Sequence, residues 1–310
     1  MQTVRIFTPA TVANLSCGFD VLGCCLDTVG DEMVLHKNSS GDVRISKIDG
    51  ADLPKEAHLN VASVAVQSLL DQLGDETTGF DIEIYKKIKA GSGIGSSAAS
   101  SAGAVWAANY LMGSPFTNKQ LISCAMEGEK VASGNAHADN VAPALLGGFT
   151  LVRSYVPLDV LKLHTPSDLY VTVIHPQIEI KTADARKVIK PNITLKKAIH
   201  QWGNLGGFVT GLFTEDYDLL GRSLEDVIIE PLRSMLIPNF RKVKQAALEA
   251  GALGCGISGS GPSIFALNKG KDTALKVKEA MDTAYQQIGI EFDLHVSPIN
   301  TEGVRCLFSE

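Results

Sequence analysis

The run Ala90-Gly91-Ser92-Gly93-Ile94-Gly95-Ser96-Ser97-Ala98-Ala99-Ser100-Ser101-Ala102-Gly103 decides the fold. Upstream of it, Phe80, Ile82 and Ile84 alternate with Asp81, Glu83 and Tyr85, the period-two pattern of a half-buried strand. Downstream, an Ala-rich segment to Met112 has helix-forming composition. The unit therefore reads strand, glycine-rich loop, helix. Glycines spaced by single residues let the backbone turn sharply and approach a ligand, while the first N–H groups of the helix point outward without intrahelical partners. That end of a helix carries roughly +0.5 of an elementary charge and suits phosphate. No Lys follows the last glycine, so the loop is not the common P-loop, and Ser96 stands where a dinucleotide fingerprint needs its third glycine. Ser96 and Ser97 bring hydroxyls that can cap the helix, touch a phosphate or ligate Mg²⁺.

Working outward, 310 residues allow two ordinary domains, and the Pro157 to Ser167 loop divides them into 1–166 and 167–310. A net charge of −6 with dispersed Lys and Arg argues against a nucleic-acid surface or a polybasic membrane anchor. Ala90 to Asn118 lacks charge, yet its Gly, Ser, Ala and Asn109 content fits a helix buried on all sides better than a membrane span. The cysteines at 17, 24, 25, 124, 255 and 306 show no paired C-x-x-C spacing, which with no evident leader predicts reduced thiols and a cytoplasmic location.

Val4 to Thr8 predicts a short strand, followed by a turn-rich connection, Pro9 to Gly23, in which Asn14 and Asp20 are either turn-makers or a polar clamp on a substrate amine or hydroxyl. Met33–His36 and Val43–Ile48 predict a strand pair around the Asn-Ser-Ser-Gly turn. Asn60 and Gly74 bracket a helix, and Thr117 with Gln120 forms a capping box opening another. Glu129 falls near the end of that second helix, where the dipole disfavours an acid. The following run, with His137, Asp139 and Asn140 wedged between apolar residues and glycines, reads as ordinary loop and cap residues or as a pocket wall. Thr182 is expected to cap a short helix that places Arg186 one turn inside, and Arg233 follows Glu230-Pro231-Leu232. Gly254-Cys255-Gly256-Ile257-Ser258-Gly259 matches G-x-G-x-x-G by letter, but a helix precedes it and an apolar strand follows, the reverse of a dinucleotide site.

Three ordered segments, Pro9 to Gly23, Gly91 to Ala99 and Gly254 to Pro262, resemble the three motifs of the GHMP kinases, named for galactokinase, homoserine kinase, mevalonate kinase and phosphomevalonate kinase. One departure is Lys89-Ala90, where many relatives carry a proline before the loop. The resemblance implies an N-terminal α/β domain with a glycine-rich phosphate loop and a C-terminal ferredoxin-like α+β domain, the active site lying between them. It implies ATP on Ala90, Gly91, Ser92, Gly93, Ile94, Gly95, Ser96, Ser97 and Ala98, with Asn60 near the base and Mg²⁺ on Ser97 and Glu129. The phrases around Asn14, His137 and Glu230 are similar to the homoserine-acting branch. The acceptor implied is L-homoserine, phosphorylated on its hydroxyl to O-phospho-L-homoserine in threonine biosynthesis. Arg186 and Arg233 would hold its carboxylate and Asp20 its ammonium, with Asn14, His137 and Asp139 as further polar contacts. Asn140, Arg186 and Thr182 would lie at the hydroxyl and γ-phosphate. A homodimer is a family-level expectation. Rival readings are a kinase for mevalonate or a sugar, and a silent relative that binds nucleotide or metabolite.

Overall fold

The structure is a computed structural model that describes residues 2–310 except 135 and 181, with the side chains of Ser133, Thr182 and Ala183 also outside the description. Its elements run β1 (Thr3–Ala13), β2 (Leu22–Asn38), β3 (Val43–Asp49), α1 (Val61–Leu73), β4 (Gly79–Tyr85), α2 (Ser96–Leu111), α3 (Asn118–Ser133), α4 (Val141–Leu146), β5 (Phe149–Tyr155), β6 (Leu158–Lys162) and β7 (Leu169–Pro176). There follow α5 (Thr182–Lys187), α6 (Leu195–Thr214), α7 (Tyr217–Ser223), α8 (Glu230–Arg233), α9 (Phe240–Glu249), β8 (Gly254–Ile257), β9 (Ile264–Lys269), α10 (Lys271–Gln286), β10 (Phe292–Pro298) and β11 (Arg305–Ser309).

The first sheet has the path β11-β1-β2-β4-β3, with β5 joined to β2 and β6 to β5. β1 is longer than the sequence predicts. Its ladder with β2 runs from Thr3 to Ala13, because Pro9 sits at a register shift, where its missing N–H and fixed φ are tolerated. The predicted pairing of β2 with β3 is also corrected, since β4 lies between them, antiparallel to β2 and parallel to β3. A parallel pair needs a crossover, and α1 supplies it. Phe80, Ile82 and Ile84 on β4 are fully buried, as their alternation predicts. Asn60 caps α1 by accepting from Ala62 N–H, and Gly74 closes it in the left-handed region.

Helix α2 is buried nearly all round, packed among α1, α3, α4 and the sheet. Small side chains permit that approach. A Cβ on Gly103 would stand 2.9 Å from Thr8 and 3.0 Å from the Met33 sulfur, so the helix could not come as close to β1 and β2 with alanine there. Overpacking of this kind typically costs about 1–3 kcal/mol.

The second sheet has the order β10-β7-β9-β8, with consecutive neighbours antiparallel. Taken in chain order its strands are β7, β8, β9, β10, which gives the 4-1-3-2 arrangement of a ferredoxin-like α+β unit, with α9 and α10 packed on the sheet. The strand Gly254–Ile257, which pairs with β9, takes in the first two residues of the Gly256 to Pro262 run expected as loop. The last strand, β11, returns to pair with β1 in the first sheet. Among the described residues, no helix is long and apolar enough to cross a membrane.

Candidate active site

One cavity of about 590 Å³ lies where the two sheets meet, and nearly every candidate residue lines it. Its floor is the glycine loop. Gly91, Gly93 and Gly95 all adopt left-handed φ (71°, 81° and 70°), so the loop is built on conformations that side chains resist. At Gly95 the space is also closed, because a Cβ would fall 2.1 Å from Thr11 Oγ1 and 3.1 Å from Asn140 Oδ1. Gly95 caps α2 with no side-chain hydrogen bond, which leaves the first amides of the helix facing the cavity. Neither serine caps the helix. Ser96 Oγ donates instead to Ile88 O (2.9 Å), and Ser97 Oγ donates to Glu129 Oε2 (3.0 Å).

The third motif, with the Ser263 that follows it, braces this floor, and its Gly259 and Ser260 also line the cavity. Ser258 Oγ donates to Gly93 O (2.7 Å) and Ser263 Oγ to Ser92 O (2.6 Å). The first motif joins them through Asn14, whose Nδ2 donates to Gly259 O (2.8 Å) while its Oδ1 accepts from Asp20 N–H (3.0 Å). Both Asn14 and Asp20 have left-handed φ, 73° and 60°, a strain that these bonds hold in place. Asn14 thus satisfies the bland reading of its sequence, local backbone bonding, while lining the cavity.

Glu129, on α3, is only 7% exposed and reaches the start of α2, with Ser101 Oγ 3.4 Å from its other oxygen. Burial pushes its carboxyl up to about 7, against the lowering influence of Ser97, Ser101 and Lys86. The Ser97–Glu129 pair is a hard-oxygen donor set beside open helix amides. That fits Mg²⁺, which takes one or two carboxylates plus phosphate oxygens.

On the opposite wall, Arg186 on α5 donates to both oxygens of Asp20 at 2.9 Å, with the same nitrogen 3.0 Å from His137 Nε2. Arg186 Nε is buried with no partner among the described residues. Arg233 is 3% exposed, and it donates from Nε to Ala185 O (3.0 Å) and from one terminal nitrogen to Gly259 O (3.1 Å). Its pKa is lowered, first by burial and then by the neighbouring Arg186. Burial also lowers that of His137. Asp139, 4% exposed, has an Oδ1 without a partner, and its carboxyl is pushed up to about 7 by burial and then by the charges of Asp20 and Glu129. Asn140 Oδ1 accepts from Thr11 Oγ1 (2.8 Å), which leaves the Nδ2 donor for the cavity.

Two residues of the expected loop set do not face the cavity: Ile94 and Ala98 are buried in the core, so only their backbones belong to the loop. Asn60 lines the cavity with Pro54 and Leu59, its amide engaged by Ala62 N–H and Pro54 O. The side chain of Thr182 lies outside the described residues. Sequence reasoning missed Lys86, Phe19 and Glu179, which line the same cavity. Phe19 carried a signal, being the one aromatic between Asn14 and Asp20. Lys86 reads as a surface charge, and only the fold turns it inward, whereas Glu179 stays exposed at the cavity's edge.

The chain as a whole is also similar to known proteins. Residues 60–148 match the model for the GHMP kinases N terminal domain, and 195–287 match that for the GHMP kinases C terminal domain. The homoserine kinases of Chlorobium phaeobacteroides (strain BS1) and Chlorobium phaeovibrioides are 47% and 48% identical, each alignment covering 99% of this chain and 100% of the relative. The crystal structure of homoserine kinase from Cytophaga hutchinsonii superposes with a TM-score of 0.95 at 51% identity, covering 99% of this chain and 98% of that one. A phosphate loop open at a buried helix start, two family models in order and this full-length likeness lead to one conclusion: the chain belongs to the GHMP kinase family, on its homoserine kinase branch.

Proposed function

We propose that the chain phosphorylates the hydroxyl of L-homoserine with ATP, giving O-phospho-L-homoserine. The observation that carries this reading is the placement of Asp20, Arg186 and Arg233 on the wall facing the phosphate loop, a charge pattern complementary to a zwitterion. The ammonium of the substrate would replace Arg186 on Asp20, and its carboxylate would take Arg186, whose Nε is unpartnered, together with Arg233. A guanidinium fork matches two carboxylate oxygens. Mevalonate lacks the ammonium and a sugar lacks both charges, so neither would balance this wall.

The triphosphate would rest on the amides of 91–97, and the base would lie toward Asn60, Pro54 and Leu59. Ser97 and Glu129 would hold Mg²⁺, which when bound offsets phosphate charge. Asn140, its carbonyl engaged by Thr11, presents a donor and cannot accept a proton. It therefore orients the hydroxyl. General-base help contributes roughly 10²–10⁴-fold, about 3–5 kcal/mol, whereas positioning supplies about 7–11 kcal/mol. Positioning is the larger effect, and a loose phosphoryl-transfer transition state asks little of a base. Direct in-line transfer follows, with loop amides stabilising the developing charge.

The test is an ADP-release assay with homoserine, threonine, mevalonate and galactose in the presence of Mg²⁺. Homoserine alone should give turnover comparable to that of a dedicated kinase. Binding of nucleotide without ADP release on any alcohol would overturn the reading in favour of a silent relative.

A further inference from the structure

Asp31, on β2, is fully buried and does not itself line the cavity, yet through Lys86, which does, it gathers both ends of the phosphate loop. Its Oδ1 accepts from the backbone N–H of Lys87 (2.6 Å) and of Ile88 (2.8 Å), the residues that lead into the loop. Its Oδ2 pairs with the ammonium of Lys86. That ammonium in turn donates to Ser96 O (2.9 Å) and Ser100 Oγ (3.3 Å), in the first turns of α2 where the loop ends. The three donors of Lys86 are thereby used, and Ser96 Oγ completes the ring by donating to Ile88 O.

Two physical arguments separate this arrangement from a brace kept for stability. A buried ion pair is poor evidence of stabilisation, since well-packed apolar residues of similar volume often serve as well or better. A cation under the first turn of a helix also opposes the macrodipole, which favours negative charge there. What the pair does achieve is geometric, because it ties residues 86–88 to residues 96–100 through one carboxylate. The seven intervening positions, 89–95, include the three left-handed glycines, which have no side chains of their own to fix the loop.

We propose that Asp31, acting through Lys86, is the positioning residue of the phosphate loop, setting the distance between the loop's two ends so that its amides converge on a nucleotide phosphate. The proposal deepens the kinase reading and rests on it. Asp31 touches no substrate, so its effect falls on nucleotide affinity and leaves the homoserine wall, built on Asp20, Arg186 and Arg233, unchanged.

Asp31→Asn alone leaves the Lys86 ammonium buried without a counter-charge and endangers folding, so the principal variant is the charge-neutral double substitution Asp31→Asn/Lys86→Met, with Lys86→Met beside it. ADP affinity is measured by calorimetry, the homoserine KM at saturating ATP by ADP release, and amide hydrogen exchange across 87–97. In the double variant, ADP affinity should fall about 10-fold or more while the homoserine KM stays within about 2-fold, with faster exchange confined to the loop. Lys86→Met should show the same selective loss to a lesser degree, because Asp31 still holds Lys87 and Ile88. Parent-like ADP affinity in a folded double variant overturns the proposal, as does equal weakening toward ADP and homoserine. If the unsubstituted protein itself fails to bind ADP, the kinase reading falls and takes this proposal with it, an outcome the parent arm alone reveals.

Discussion

Arg186 and Asp20 form a closed ion pair across the mouth of the acceptor wall, one guanidinium nitrogen lying 2.9 Å from each carboxylate oxygen. These are the two groups that a zwitterionic substrate would separate, one taking its carboxylate and the other its ammonium. The pair is half-exposed, so its own attraction is modest and its opening is affordable. Asp20→Asn keeps the shape and removes the charge. Hydrogen bonds to charged groups contribute about 1.5–3 kcal/mol, so the KM for homoserine should rise roughly 10- to 100-fold while the KM for ATP changes little. Steady-state kinetics with each substrate varied in turn checks this. Equal rises in both constants would place Asp20 in general scaffolding instead.

Phe19 lies against both arginines, its ring centre 5.6 Å from the Arg186 guanidinium and 5.1 Å from that of Arg233. An aromatic face attracts a cation by about 0.5–2 kcal/mol and here also spaces two like charges before any substrate arrives. Phe19→Leu preserves much of the volume without the quadrupole. We expect the homoserine KM to increase about 3- to 30-fold with kcat nearly unchanged. A fall in kcat at constant KM would contradict a role in ground-state binding.

The strand, loop and helix around Gly91, the Asn60 and Thr117 caps, and the buried character of α2 were all legible in the chain, because each rests on local chemistry: alternation, glycine spacing, a side chain within three residues of its partner. What was illegible depended on distance. Nothing near Val43 says that β4 will insert between β2 and β3, and nothing near Lys86 says that its charge turns inward to Asp31, fifty-five positions away. The unfavourable placement of Glu129 was visible as an anomaly. Its cause, the Ser97 hydroxyl on a neighbouring helix, belongs to tertiary structure.

Gly95→Ala tests whether the loop glycines are required by geometry. The backbone there is left-handed, which costs a non-glycine residue about 1–2 kcal/mol, and the new methyl would strike Thr11 Oγ1. Relief of that clash displaces Thr11 and with it Asn140. We expect kcat/KM to fall by about 100-fold or more, since misplacement of about 1 Å near the reacting atoms has that effect. A crystal structure of the variant should show the Thr11–Asn140 bond broken.

Asp139 makes a prediction about stability and pH. Its carboxyl moves from an ordinary 3.8 to about 7 on folding, because burial and the charges of Asp20 and Glu129 favour the neutral form. A raised folded pKa means that the folded state holds the proton more tightly. The associated stability is therefore fully present below pH 3.8 and is lost as pH rises toward 7. Asp139→Asn, which is neutral at every pH, should match the unliganded parent near pH 4 and become progressively more stable above it, by at most about 4 kcal/mol beyond pH 7. Urea denaturation at pH 4, 6 and 8 measures the difference. A pH-independent difference would mean that Asp139 does not titrate in this range.

The same substitution decides whether the reaction uses a base. With an unpartnered oxygen and a pKa near 7, Asp139 has the chemistry of a general base, whereas Asn140 beside it does not. If positioning by Asn140, the loop amides and the two arginines carries the reaction, Asp139→Asn should retain kcat within about tenfold at saturating homoserine, because removal of a true base costs roughly 10²–10⁴-fold. The pH profile adds a second readout: the parent's kcat should show no rising limb near pH 7 that the variant lacks. A loss of turnover with homoserine binding intact, together with disappearance of such a limb, would transfer proton removal to Asp139 and replace direct transfer with base-assisted attack.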